Sequence, residues 1–186
     1  MMKKNSDLEI LNQEALSLLK SLIETPSISG QEDEAADLIG RFLNIKGIAF
    51  ERKINNIWVT NTFFDDSKPT LLLNSHFDTV KPNAGWQGNP FEAAEKDGKL
   101  IGLGSNDAGA SVVSLLSAFI YFKDRQDLNH NIIFAATAEE ETSGANGITA
   151  ILDELGKIDL AIVGEPTGMD MAVAEKGLIV IDCEAK

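Results

Sequence analysis

Thr70-Leu71-Leu72-Leu73-Asn74-Ser75, followed directly by His76-Phe77-Asp78-Thr79-Val80, is the stretch that decides how this chain folds. Its apolar residues run on without alternation, the pattern of a strand buried on both faces. Ile132-Ile133-Phe134-Ala135-Ala136-Thr137 and Leu160-Ala161-Ile162-Val163-Gly164 repeat the pattern. A helical pattern over 108–122 separates the first two runs, and another near 147–155 separates the last two. Strands alternating with helices predict an α/β fold: a largely parallel mixed sheet flanked by helices.

Upstream, Leu8, Leu11, Ala15, Leu18, Leu19 and Leu22 recur at helical spacing and predict a helix over 8–23. Thr25-Pro26-Ser27 ends it, because proline disfavours helix in the residue before it. A second helix is expected over 32–46, with Gly47 as its stop. Ile57-Trp58-Val59, after an Asn-Asn turn, reads as a strand.

The 186 residues suffice for one sizeable core. Sixteen Lys and Arg against 29 Asp and Glu give a net charge of −13. An acidic surface repels phosphate backbones and anionic lipid, so nucleic acid and membrane surface are poor partners. The single cysteine, Cys183, excludes an internal disulfide and is expected at a strand position. The start, MMKKNSDLEI, lacks the apolar run of a secretory leader, and no stretch approaches the length of a membrane span. A cytoplasmic location is the default expectation.

The residues just past each strand carry the chemistry. His76 and Asp78 come after the first; Glu139-Glu140-Glu141 after the second; Glu165-Pro166-Thr167 after the third. In open α/β sheets, ligands bind beyond the carboxyl ends of the strands. Asp107, after Gly102-Leu103-Gly104-Ser105-Asn106, joins them at the expected start of a helix. Each has a plainer reading: a structural histidine, a helix cap at Asp107, solvated acidic turns at 139–141 and 165. Together, an imidazole and several carboxylates on one sheet edge form a ligand set for zinc-like divalent metals, whose charge would offset the carboxylates. If the chain stays extended, Asp78 can accept the other ring N–H of His76 and fix its tautomer. His130 precedes its strand, at the opposite edge, and reads as structural.

Four stretches in order resemble the successive motifs of the M20 metallopeptidase family. They are Ser75-His76-Phe77-Asp78-Thr79-Val80, Gly102-Leu103-Gly104-Ser105-Asn106-Asp107, Thr137-Ala138-Glu139-Glu140-Glu141-Thr142 and Val163-Gly164-Glu165-Pro166-Thr167. The first two look closest to the acetylornithine deacetylase-like branch. The resemblance implies a zinc-exopeptidase-like catalytic domain holding two divalent metal ions, Zn²⁺ or Co²⁺. It implies metal ligands His76, Asp107 (bridging), Glu141 and Glu165. Glu140 would be the general base and Asp78 the partner of His76; a one-residue slip along the acidic triplet is the competing register. The implied reaction removes the N-acyl group from a small N-acyl amino acid such as N-acetylornithine, in arginine biosynthesis. Ornithine or citrulline analogues, succinyl-diaminopimelate, and dipeptidase or carboxypeptidase substrates are the alternatives. A phosphoesterase is disfavoured, since no cationic phosphate clamp is evident.

The family's second metal takes a further histidine far downstream, and its members carry an inserted lid domain that supports homodimers. By that resemblance, residues 1–177 are the N-terminal portion of the catalytic domain. Residues 178–186 are the first strand of the inserted domain. The expectation is of a fragment, with little turnover by itself; a non-catalytic metal-binding role is the alternative.

Overall fold

The computed structural model describes residues 5–174. Helices α1 (Asn5–Glu24) and α2 (Asp33–Ile45) form where the apolar spacing predicts them. The Thr25 hydroxyl donates to the Ser21 carbonyl (2.8 Å) at the end of α1, just before Pro26. After α2 the chain turns at Gly47, whose φ of 66° favours glycine.

Strands β1 (Glu51–Lys53) and β2 (Asn56–Thr60) pair antiparallel. Their turn is Ile54-Asn55, one residue earlier than the Asn-Asn pair suggests. Asn56 is drawn into the sheet by its side chain. Its amide donates to the Asn146 carbonyl (2.6 Å), and its Oδ1 accepts the Ala138 N–H (3.1 Å).

The three apolar runs become β3 (Thr70–His76), β6 (Asn131–Thr137) and β7 (Leu160–Val163). Between β3 and β6 lie the hairpin β4 (Ala94–Lys96) and β5 (Lys99–Ile101), and helix α3 (Ala110–Phe122). The hairpin is not among the expected elements, although Asp97-Gly98, both at positive φ, is a strong two-residue turn signal. The main sheet has the order β1-β2-β6-β3-β7. β3 runs parallel to both β6 and β7, whereas β2 runs antiparallel to β6. The sheet is therefore mixed, with the three longest apolar runs forming its parallel part.

Alternation along the strands feeds two cores. Ile57, Val59, Leu73, Ile132, Phe134 and Ala136 pack with apolar residues of α1, α2 and α3. Trp58, Leu72, Ile133 and Ala135 pack on the other face with Ile151 and Leu155. Burying both faces is what removes the polar alternation from β3 and β6.

Three expectations need correction. β7 is not buried: Leu160, Ile162 and Val163 are 62%, 47% and 57% exposed. Among the described residues it is an edge strand, paired only with β3. The helix expected near 147–155 splits into a 3₁₀ turn (Ile148–Ala150) and the single turn α4 (Leu152–Leu155), closed by Gly156 at φ 70°. Helix α3 starts at Ala110 rather than 108, because Asp107 (φ −116°, ψ 99°) and Ala108 (φ −120°, ψ 29°) are not helical. Cys183 and the strand expected over 178–186 lie outside the described residues. Among the described residues, no helix is long and apolar enough to cross a membrane.

The register fixes where the chemistry falls. His76 is level with Thr137 of β6, and Asn74 with Val163 of β7. Residues just past the three carboxyl ends therefore meet at one sheet edge, while His130, just before β6, is at the other and is exposed.

Candidate metal centre

His76 ends β3 and is 1% exposed, so both ring nitrogens must find partners inside the protein. Nδ1 lies 3.1 Å from the Asp78 carbonyl oxygen and 3.3 Å from Asp78 Oδ1. Both are acceptors, so Nδ1 carries the proton. Nε2 faces Asp107 Oδ1 at 3.1 Å, and Glu140 Oε2 and Glu165 Oε2 at 3.7 Å each. These too are acceptors. A buried ring nitrogen ringed by carboxylates calls for a second proton or a cation.

Each carboxylate arrives by its own device. Asp107 stands in the turn Ser105–Gly109, braced by the Gly109 N–H to the Gly104 carbonyl (2.9 Å). Gly104 sits at φ 74°, and a Cβ there would lie 2.6 Å from the Thr79 methyl, so glycine is required on both counts. The helix-cap reading of Asp107 fails: α3 begins three residues later and takes no side-chain cap. Glu165 follows β7, where the Gly164 N–H donates to the Asn74 carbonyl and the Ser75 hydroxyl donates to the Gly164 carbonyl, both at 2.8 Å.

The acidic triplet resolves by direction. Glu139, at φ 53°, turns back on its own loop: its carboxylate accepts the Asn146 N–H (3.1 Å) and side-chain amide (2.8 Å). Glu140 approaches His76. The backbone N–H groups of Glu140 and Glu141 both donate to the Asp78 carboxylate, at 3.1 Å each.

The charges agree with this geometry. Burial by itself would raise the pKa of Asp78, but hydrogen bonds from His76, Ser29 and the backbone of Glu140 and Glu141 hold it below the ordinary value. Burial would lower His76; its hydrogen bond to Asp78 and the charges of Asp78, Glu165 and Glu140 outweigh that and raise it to about 9. Burial raises Glu141, helped by Asp107. Burial also raises Glu165, with His76 opposing and Glu140 and Asp107 adding to the rise. Among the described residues, no lysine or arginine forms an ion pair with Asp107, Glu140, Glu141 or Glu165.

Ligand atoms of His76, Asp107 and Glu165 all lie within 4.8 Å of one another. Ligands at about 2.1 Å from a common zinc-sized ion fall up to ~4.2 Å apart, so this trio fits one divalent cation with little adjustment. Glu140 and Glu141 lie outside the trio; Glu141 is close enough to feel the charges of Asp107 and His76. Sequence reasoning missed one contributor, Ser29, whose hydroxyl donates to Asp78 Oδ2. It stands 49 positions away in the chain, beyond the reach of any local pattern.

Residues 72–178, which contain the three strand ends and the Asp107 turn, match the peptidase family M20/M25/M40. The chain belongs to that family. Succinyl-diaminopimelate desuccinylase of Rickettsia bellii is 35% identical to the M20 chain over 161 residues, 80% of this chain and 41% of that one. Acetylornithine deacetylase of Proteus mirabilis is 34% identical over 176 residues, 87% and 45% of the two. The M20 chain thus spans about two-fifths of the length of these relatives. Among solved structures, the M20 metallo-carboxypeptidase Sso-CP2 of Sulfolobus solfataricus superposes with a TM-score of 0.62 at 20% identity, covering 81% of this chain and 37% of that one. The YXEP protein of Bacillus subtilis, described as a dinuclear metal-binding M20 peptidase, gives 0.61 at 18% identity, covering 83% and 43%. At these identities the structural likeness speaks to fold alone.

Proposed function

We propose that this M20 chain forms the metal-binding part of a hydrolase that removes the acyl group from a small N-acyl amino acid. The observation that carries the reading is His76 Nε2, buried and, among the described residues, facing the carboxylates of Asp107, Glu140 and Glu165, with Glu140 at 3.7 Å. Succinyl-diaminopimelate desuccinylase and acetylornithine deacetylase among the relatives support an N-acyl amino acid as the substrate class. Between succinyl and acetyl substrates, the wording of the motifs favours the acetylornithine deacetylase-like side, and the likeness to succinyl-diaminopimelate desuccinylases at 31–35% identity supports the other.

His76, Asp107 and Glu165 would hold one divalent ion, zinc or cobalt. Asp107 and Glu141 would hold a second, with a histidine beyond these residues. Bound ions would polarise the amide carbonyl and acidify water. Glu140 takes the proton from the attacking water and returns it to the departing amine. Asp78 holds the Nδ1 proton of His76, leaving Nε2 free to donate its lone pair. Glu139, tied to Asn146, takes no part. Residues 1–177 would constitute the metal-binding portion of the catalytic domain, with a lid and dimerisation domain entered at 178.

The test is amine release from N-acetyl and N-succinyl ornithine, citrulline and diaminopimelate, by the 186-residue chain and by a form extended through the rest of the catalytic domain. Zn²⁺ or Co²⁺ is added to both. The extended form should hydrolyse at least one substrate, and the shorter chain should bind metal with little turnover. Metal binding without hydrolysis by either form would favour a binding role; no metal binding at all would overturn the reading.

A further inference from the structure

The Asp78 carboxylate is 0% exposed, and its four acceptor positions are all taken. Oδ1 faces His76 Nδ1 (3.3 Å) and accepts the Glu140 N–H (3.1 Å). Oδ2 accepts the Glu141 N–H (3.1 Å) and the Ser29 hydroxyl. Three of these donors belong to the metal centre and its acidic loop. The fourth comes from the segment between α1 and α2.

That segment is tied down at every step. The Ser27 hydroxyl donates to the Phe77 carbonyl (2.8 Å). Thr79 N–H donates to Ser27 (2.9 Å) and Ser29 N–H to Thr79 (3.1 Å), a short parallel bridge alongside the residues after β3. Glu32, 0% exposed, accepts the Gly30 N–H on one oxygen and the Asn55 side-chain amide (3.1 Å) on the other. A carboxylate is costly to bury without partners. Here its bonds close the turn that presents Ser29.

We infer that Ser29 is a positioning residue. Its hydroxyl fixes the Asp78 carboxylate, which fixes the ring of His76, and Ser29 thereby sets the affinity of the His76 site for a divalent ion. The inference rests on the metal-centre reading. Partners of this kind behind a ligating histidine are worth about 10–100-fold in metal affinity.

The test compares the 186-residue chain with Ser29→Thr and Ser29→Val, a pair matched in shape and differing in the hydroxyl. Ser27→Ala serves as a control that loosens the same segment without touching Asp78. Zn²⁺ affinity is read by competition with a chromophoric chelator, and the ring ¹⁵N shifts of His76 are read in the metal-free protein, with His130 as internal reference. Ser29→Thr should stay within about twofold of the parent, and Ser29→Val should bind Zn²⁺ about tenfold more weakly. Ser29→Val should also move the His76 shifts alone, while Ser27→Ala changes neither readout. Equal affinity and equal His76 shifts for the Thr and Val variants would overturn the inference. Absence of Zn²⁺ binding by the parent, with the His76 shifts still responding to the hydroxyl, would overturn the metal reading and leave the positioning role standing.

Discussion

The Glu139 carboxylate holds Asn146 by both its backbone N–H and its side-chain amide, and so faces away from His76. Three consecutive glutamates thus do different work: one closes a loop, one approaches the imidazole, and the third lies within electrostatic reach of Asp107. Glu139→Ala is expected to cost about 1–2 kcal/mol of stability through the lost bonds, with Zn²⁺ affinity unchanged. Thermal melts and a chelator competition on the same samples check this. A large loss of metal with no change in melting would shift the register of the triplet by one residue.

Glu140→Gln keeps the size and most of the hydrogen bonding but removes the basic oxygen. In an active, metal-loaded form, kcat should fall by about 10²–10⁴-fold, with metal content unchanged. Metal analysis beside steady-state kinetics separates this from a ligand's loss, which would empty the site first.

His76→Ala removes the nitrogen that all three neighbouring carboxylates face. Zn²⁺ affinity should drop by more than about 100-fold, beyond the effect of losing a supporting partner. His130→Ala, altered at the opposite sheet edge, should bind Zn²⁺ as the parent does. Isothermal titration of both variants makes the comparison.

The metal-free protein should lose stability as pH rises. His76 has a folded pKa of about 9 against an ordinary 6.5. A raised pKa means that the folded state holds its proton more tightly than the unfolded state. The stabilisation is complete below about pH 6.5 and is lost as pH climbs through about 9. Melting temperatures of chelator-treated protein across that window should fall, and His76→Gln should flatten the trend. Saturating Zn²⁺ at 100 times Kd should add about 2.7 kcal/mol.

Gly164 has no room for a side chain: a Cβ there would stand 2.8 Å from Ser111 Cβ and 2.9 Å from Leu115 Cδ1. Gly164→Ala should cost about 1–3 kcal/mol by overpacking. It should also weaken Zn²⁺ binding, because Glu165 hangs from the displaced residue. Unchanged metal affinity in a destabilised variant would show that Glu165 is not a ligand.

The sequence by itself determined the parallel strands and the helices beside them. Unbroken apolar runs and 3.6-residue spacing are local consequences of burial, legible without coordinates in β3, β6, α1 and α2. It also placed His76, Asp78, the acidic triplet and Glu165 at strand ends, because strand direction alone sends them to one edge, and it placed Asp107 ahead of the following helix. Only the tertiary structure decided which carboxylates converge, since that depends on register: His76 level with Thr137, Asn74 with Val163. Only it turned Glu139 back on its own loop, left β7 exposed, and brought Ser29 to Asp78. Ser29 meets Asp78 across 49 positions of chain, β7 stands at the sheet edge, and Glu139 bonds Asn146 within its own loop; each geometry exists only once the sheet has formed and the loops have closed over its edge.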